Sequence, residues 1–482
     1  MTFAQRRITT LPGADYSTLK RIEPSPHRFA TGILLLYLFL LMSRGVELLS
    51  VLFGANLHIT LILMFISLLA AILTRGLLDA AKSPVVLMFT GLTFWFVMTT
   101  FTSQWRGGSF RVLTNTWLPS YMCVLLIPSL ISTLDQCRKV YYILAFSLVP
   151  MLWATIKFAA QIQGRDGAIF GTLGNPNDLA FSLLLLIPFA VFVSRSEFIL
   201  SWKSIVCILA ILYAILKVLK TGSRGALVTM ALCGAIMFIS GKMKTRVAVL
   251  GMAGLVGVVA VVAVSSDVLA RYTTIFSGTS AASGMSADEY SAVESTRARK
   301  MLFWESVRLT MEHPLFGVGP GIFSAALAGE QKQSGQLQTW HEAHNSFTQL
   351  GSEAGLPALG IYLAALYYCL KRTIRIYRRT RNDPSQLAIC RMAATLAMAL
   401  WIFVICGAFG NYSYSFYFPV LAGLAQAFEV CVRQETKTQV VMGSARRQAR
   451  LPNPPLAPMP AFARNSQPRT RVWSRHDRSS AG

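Results

Sequence analysis

Apolar runs of about 20 residues, the length that crosses a bilayer as a helix, recur along this chain and restrict it to one kind of architecture. They occupy 30–54, 56–74, 84–102, 112–132, 139–160, 178–194, 202–220, 225–240, 246–265, 346–370, 387–406 and 412–432. The expected fold is an all-α polytopic membrane protein with about 12 transmembrane helices. Its parts are an N-terminal arm (1–29), spans one to nine (30–265), one external helical segment (266–345), spans ten to twelve (346–432) and a Pro- and Arg-rich tail (433–482). The tail lacks periodicity and reads as disordered. The first apolar run is long and no small-residue cleavage site follows it, so the N-terminal segment does not read as a signal peptide.

A net charge of +24 raises the question of nucleic acid, and the distribution of the charge answers it. With the N-terminus in the cytoplasm, inside segments hold 31 of the 45 Lys and Arg residues and outside segments 12, while Arg44 and Lys157 fall within spans. The excess is a topology signal that places both termini in the cytoplasm. Segment 266–345 carries eight acidic and six basic residues, a poor nucleic-acid surface. The run Lys371–Arg381 reads as a cytoplasmic patch for anionic lipid. None of the eight cysteines lies in the external segment and no Cys-x-x-Cys pair occurs, so neither disulfides nor thiolate metal sites are expected.

The chemistry lies where basic residues break the charge rule or polar residues open a span. Arg106 and Arg111, in the outside loop 103–111, are a weak hint of anion binding. Gly171-Thr-Leu-Gly-Asn-Pro-Asn-Asp178 sets Asn175 as N-cap and Pro176 as first helical residue of the sixth span, with Asn177 and Asp178 available for substrate. After Lys217 and Lys220, Ser223 can cap the eighth span. Arg224 then sits in its first turn, where a cation is unfavourable to the helix dipole unless an anion is present. Within 297–312 an amphipathic helix is expected, opened by Arg297, Arg299 and Lys300 and carrying Trp304; residues 277–296 before it read as mobile. Pro314–Gly321 forces a turn.

His344 and Asn345 open the tenth span. If helix begins at 344, Thr348, Gly351 and Gly355 fall beneath His344 on one face, and Gly351-x-x-x-Gly355 admits a neighbouring helix below an ionisable group. Spans six, eight and ten begin at the outer face, so three positive helix ends can converge there on a diphosphate. Arg suits phosphate through its planar fork, and His344 can take a proton from an attacking hydroxyl or orient a phosphate. His341 and His344 flank Glu342 one residue short of His-Glu-x-x-His, and no Gly-x-Ser-x-Gly occurs, so neither a metal, a cofactor nor a serine nucleophile is expected.

Four features taken in order resemble the O-antigen ligase and polymerase superfamily. These are the Asn-Pro-Asn-Asp turn, Ser-Arg-Gly at a helix start, a Trp-containing helix before Pro-Leu-Phe-Gly-Val-Gly, and His-Asn followed by Glu353-x-Gly355. The resemblance implies a metal-independent glycosyltransferase on the periplasmic face of the bacterial inner membrane. Such an enzyme moves a glycan from an undecaprenyl-diphosphate carrier to an acceptor hydroxyl, commonly with inversion. His344 would then activate the acceptor or contact the diphosphate, and Arg224 would clamp the diphosphate. The second family Arg stands four residues before Trp, where this chain has Lys300 flanked by Arg297 and Arg299. Three residues after Gly355, the family's Gly is Ala358. A ligase acting on a lipid A-core acceptor is the first reading. A polymerase, a protein O-oligosaccharyltransferase and an anion transporter follow as alternatives; membrane lipid and lipid-linked glycan are the expected partners.

Overall fold

The computed structural model describes residues 25–55, 58–162, 165–168, 171–273, 287–335, 337–338 and 340–450. The described residues divide into two units after Arg433. Nearly all described residues are helical, and seven helices are long and apolar enough to cross a membrane: Pro84–Thr102, Leu134–Lys157, Pro176–Ser196, Trp202–Lys220, Met243–Ala263, Ser346–Thr380 and Pro384–Gly407. Arg28–Met42 and Gly45–Phe53, bent by 72°, make an eighth if the pair is one span. Expected spans at 56–74 and 225–240 fall on the shorter apolar helices Ile59–Leu73 and Arg224–Ser240. The expected span 112–132 is a π-helical turn, Leu113–Trp117, running into Leu118–Leu130, and that at 412–432 begins the helix Tyr417–Arg450.

Two expectations change. Residues 433–450, whose composition suggests disorder, continue the helix begun at Tyr417, while 451–482 lie outside the described residues. Residues 287–296, with their Ser- and Ala-rich composition, form the first turns of the helix Ala287–Glu312; 277–286 lie outside the described residues.

Local chemistry sets the helix starts. Ser83, Thr133, Asn175, Ser201, Ser223 and Asn345 each accept a backbone N–H in the first turn, and Thr133 completes a capping box with Gln136. Each satisfies donors that a helix end leaves unpaired. The bend near residue 44 has a side-chain cause as well. Arg44 takes the left-handed conformation, donates to Glu47 at 2.7 Å and to the Tyr417 hydroxyl at 3.0 Å, and lies 4.8 Å from the Phe416 ring centroid. A charge within an apolar span is retained because it is paired and hydrogen-bonded.

Pro176–Ser196 is the centre of the bundle, packed against Trp202–Lys220, Leu134–Phe146 and Leu387–Gly407. No residue of Met243–Ala263 is buried, as suits a helix facing lipid. Around Trp117 an aromatic core gathers Phe89, Phe96 and Tyr414, and the Trp117 indole donates to Thr93 Oγ1 at 2.9 Å. Segment 266–345 has a small apolar core of its own, including Leu302, Leu309, Val318, Phe323 and Leu327. An antiparallel hairpin, Ala159–Ile162 with Arg165–Ala168, pairs Ala159 with Ala168 and Ile162 with Arg165; it leads into the turn before Asn175.

Candidate functional site

Three helix starts and one loop build the polar end of the bundle. In the Asn-Pro-Asn-Asp turn each polar side chain has a separate task. Asn175 Oδ1 accepts from the Asn177 N–H at 2.9 Å, Asn177 Oδ1 accepts from Arg165 Nη2 at 3.0 Å, and Asp178 Oδ1 accepts from the Tyr412 hydroxyl at 2.8 Å. The first is capping alone. The other two fix the positions of groups at the site.

At the second helix start, Gly222 adopts φ +59° and Ser223 Oγ accepts from the Ala226 N–H at 3.4 Å, which leaves Arg224 as the first helical residue. The preceding helix end is closed by side chains. Arg165 Nε donates to the Thr221 carbonyl and the Tyr272 hydroxyl to the Leu219 carbonyl, both at 2.7 Å. Lys217 pairs with Asp166 at 3.0 Å.

The third helix start departs from expectation. His344 lies before the helix at φ +50°, and Asn345 is the cap, its Oδ1 accepting from Phe347 N at 2.9 Å and Thr348 N at 3.1 Å. His344 therefore does not stand over Thr348, Gly351 and Gly355 on a helical face. The expected close approach survives at Gly351, where an added Cβ would meet Thr310 Oγ1 of Ala287–Glu312 at 3.0 Å. At Gly355 the helix is broken, with φ +80°, and an added Cβ would fall 2.0 Å from the Leu315 carbonyl oxygen. It is the turn at Pro314–Gly321 that packs here. Leu356 N donates to Pro314 O at 2.7 Å, while Val318 N donates to Ser352 O and Gly319 N to Glu353 O, both at 2.9 Å.

Glu353 completes this join from a buried position, 2% exposed. Its carboxylate accepts from Gly321 N at 2.9 Å and Phe323 N at 3.2 Å, which anchors the turn and the start of Phe323–Gln333. Ser346 ties the last loop to the same place: its hydroxyl donates to Gly410 O at 2.7 Å and accepts from Tyr412 N at 2.8 Å. Ser413 Oγ donates to Ser346 O at 2.5 Å, and the Asn411 amide donates to Glu342. These bonds carry Tyr412 to the start of the helix that follows His344.

Because the helix begins at Ala287, Arg297, Arg299 and Lys300 lie in its middle and do not open it; of the three, Arg299 enters a narrow crevice with Asn177, Ser223, Gly225, Phe409 and Tyr412. Arg297 and Lys300 are exposed. Trp304 is 60% exposed, set edge-on to Phe303, and is not among the crevice residues.

Four guanidinium groups interact here. Burial is the first influence on Arg165 and lowers it to about 10; Arg271, Arg299 and Arg224 add repulsion, which Tyr272 partly opposes. Arg299 is also lowered, by burial and then by Arg271, with Tyr412 and Asp178 acting in the opposite sense. Burial lowers His344 to about 4, helped by the charge of Arg299 and by His341, so its imidazole is neutral near pH 7. Burial and Asp178 hold the Tyr412 phenol well above its ordinary value, protonated and able to donate. Such a site favours an anion and offers it hydrogen-bond donors. Among the described residues no three His, Cys, Asp or Glu side chains converge as metal ligands. Arg165, Arg271 and Tyr412 are not singled out by the sequence reading, although the first two fall in segments expected outside and so break the same charge rule as Arg224.

A helical bundle of this kind, with several spans and a cationic site at the ends of its helices, is a multi-pass membrane protein. Residues 209–363 match the family described as O-Antigen ligase, which is what this part of the chain is similar to. The matched segment includes Arg224, Arg271, Arg299 and His344; Arg165, Asn177, Asp178 and Tyr412 lie outside it. No curated protein matches the chain.

Proposed function

We propose that the protein transfers a glycan from an undecaprenyl-diphosphate carrier to an acceptor hydroxyl at the periplasmic face of the bacterial inner membrane, as an O-antigen ligase does. The observation that carries this reading is the placing of Arg224 and Arg299 together at one polar end, with Arg299 beside a neutral His344. By the positive-inside distribution this end faces outward. Ile59–Leu73, Arg224–Ser240, 113–130 and 417–432 are counted as spans too, bringing the total to about twelve.

In this mechanism Arg224 and Arg299 hold the diphosphate. Neutral His344 takes the proton of the acceptor hydroxyl as its oxygen bonds to the anomeric carbon. The bond from that carbon to the glycosyl-side phosphate oxygen breaks, and its electron pair leaves with the carrier diphosphate. Arg299 neutralises the charge that develops there. An imidazole with a pKa of about 4 is a weak base, but a bound diphosphate offsets the Arg299 charge and raises its basicity toward the range useful at neutral pH.

The test is reconstitution of purified protein with a short polyprenyl-diphosphate glycan in EDTA, with and without a lipid A-core acceptor, read on a gel. One shifted band that requires the acceptor is expected, and it should vanish in His344→Ala and Arg224→Gln proteins that still insert. A ladder from donor alone would make the enzyme a polymerase. No product under either condition would refute the transfer reading.

A further inference from the structure

Arg165 is 9% exposed, and its hydrogen bonds go to neutral oxygens, those of Thr221 and Asn177. Among the described residues no carboxylate pairs with it; its neighbour Asp166 is taken by Lys217. Arg271, from the helix Ser266–Thr273, is 4% exposed and stands across Gly222 from it. A Cβ added at Gly222 would lie 3.5 Å from Arg165 Nε and 3.6 Å from Arg271 Cδ. Arg165, buried and hydrogen-bonded to neutral oxygens, is costly to keep charged unless a ligand supplies an anion.

The surroundings give this pair a direction. Asn177, which accepts from Arg165, also lines the crevice of Arg299, so the two arginine groups are separated by one amide. On the other side lies the membrane-facing surface of Trp202–Lys220. There a groove of about 480 Å³, lined by Leu212, Tyr213, Leu216, Leu255 and Val259 among others, runs between this helix and Met243–Ala263. Lys217 sits 5.7 Å over the Tyr213 ring at the groove and pairs with Asp166, the residue next to Arg165. The sequence of features is therefore apolar groove, Lys217–Asp166, Arg165 with Arg271, Asn177, Arg299 and then His344.

We propose that Arg165 and Arg271 bind the carrier-side phosphate of the lipid diphosphate, the one esterified to the polyprenol, while Arg224 and Arg299 bind the glycosyl-side phosphate. The proposal rests on the transfer reading above and divides its anion site in two. The isoprenoid chain next to that phosphate lies along the groove. Bond cleavage puts new charge on the glycosyl-side oxygen, so Arg299 acts in the transition state. The carrier-side phosphate has the same charge before and after, so Arg165 and Arg271 contribute binding that is uniform along the reaction.

The experiment uses the full chain in nanodiscs, with farnesyl diphosphate and farnesyl monophosphate as binding probes and a lipid-linked glycan for kinetics. Wild-type protein should bind the diphosphate more tightly. Arg299→Gln should erase the preference for the diphosphate, whereas Arg271→Gln and Arg165→Lys, checked for a native melting transition, should each weaken binding of both probes about tenfold. Both should raise donor KM with kcat within about threefold, whereas Arg299→Gln should lower kcat. Wild-type binding with unchanged affinity in both variants, or a loss confined to kcat, would overturn this assignment alone. Wild-type protein that binds neither probe and transfers no glycan would overturn the transfer reading with it.

Discussion

Replacing Arg299 by Gln should raise the pKa of His344 in the ligand-free protein. The depression from 6.5 to about 4 corresponds to about 3.4 kcal/mol of disfavoured protonation. Burial is its largest cause and the charge of Arg299 the second, so the arginine accounts for less than half. Its removal should move the His344 midpoint up by about one pH unit, to about 5. Bound diphosphate should act in the same direction on the wild-type protein by offsetting the same charge, which means that donor binding takes up protons below pH 6.5. The linkage to stability follows in sign. The folded state binds fewer protons than the unfolded state between pH 4 and 6.5, so this contribution is complete above 6.5 and is lost as pH falls through 4. The assay is a carbon-detected histidine titration by NMR in nanodiscs, with the His344 signal assigned by its disappearance in His344→Gln. An Arg299→Gln midpoint equal to or below that of wild type would refute the electrostatic account of the site.

Further outcomes follow from single contacts. Gly355→Ala should destabilise the protein by about 3 kcal/mol or more, because the residue is held at φ +80° with the Leu315 carbonyl in the space of the new methyl; an unchanged melting transition would contradict the described join. Tyr412→Phe removes the donor to Asp178 at 2.8 Å and should cost about 1–3 kcal/mol, with weaker donor binding as Asp178 draws on Arg299 instead. Thermal unfolding with and without farnesyl diphosphate separates the two effects. Glu353→Ala should loosen the Pro314–Gly321 turn and shift the melting transition more than Arg297→Ala, since Glu353 satisfies two backbone donors and Arg297 is exposed.

The parts of the site legible in the sequence are those whose causes are local. Asn175 and Ser223 announce themselves as caps, and Arg224 as a cation at the wrong end of a helix. The break at Gly355 had a local sign as well, because Pro357 stands two residues later and disfavours an unbroken helix. The small-residue spacing from Gly351 points the other way, toward an unbroken helix. The choice among Arg297, Arg299 and Lys300 depended on the rotation of a helix against the bundle, which its own sequence does not determine. The hairpin at 159–168 is built largely of Ala, Gly and polar residues with little strand preference, and its pairing follows from its attachment to Thr221 and Asn177 rather than from periodicity. Tyr412 meets Asp178 across 234 residues, a contact that no local pattern encodes.

This division bears on how an acceptor would be chosen. The segment 209–363 that matches the family holds Arg224, Arg271, Arg299 and His344, the groups assigned to the diphosphate and to the proton. Arg165, Asn177, Asp178 and Tyr412 come from two other stretches of the chain, and the latter is brought in through Ser346 and Glu342. Under the proposed transfer, chemistry on a lipid-linked donor constrains the first set together with Arg165, because each is assigned to the diphosphate or to the proton that moves. The 410–413 loop reaches the same crevice through Tyr412, without a charge of its own, and acts on the arginines only through Asp178. Differences in acceptor among proteins of this kind should therefore concentrate in that loop and in the Asn175 turn, while the four arginines and His344 serve one donor chemistry.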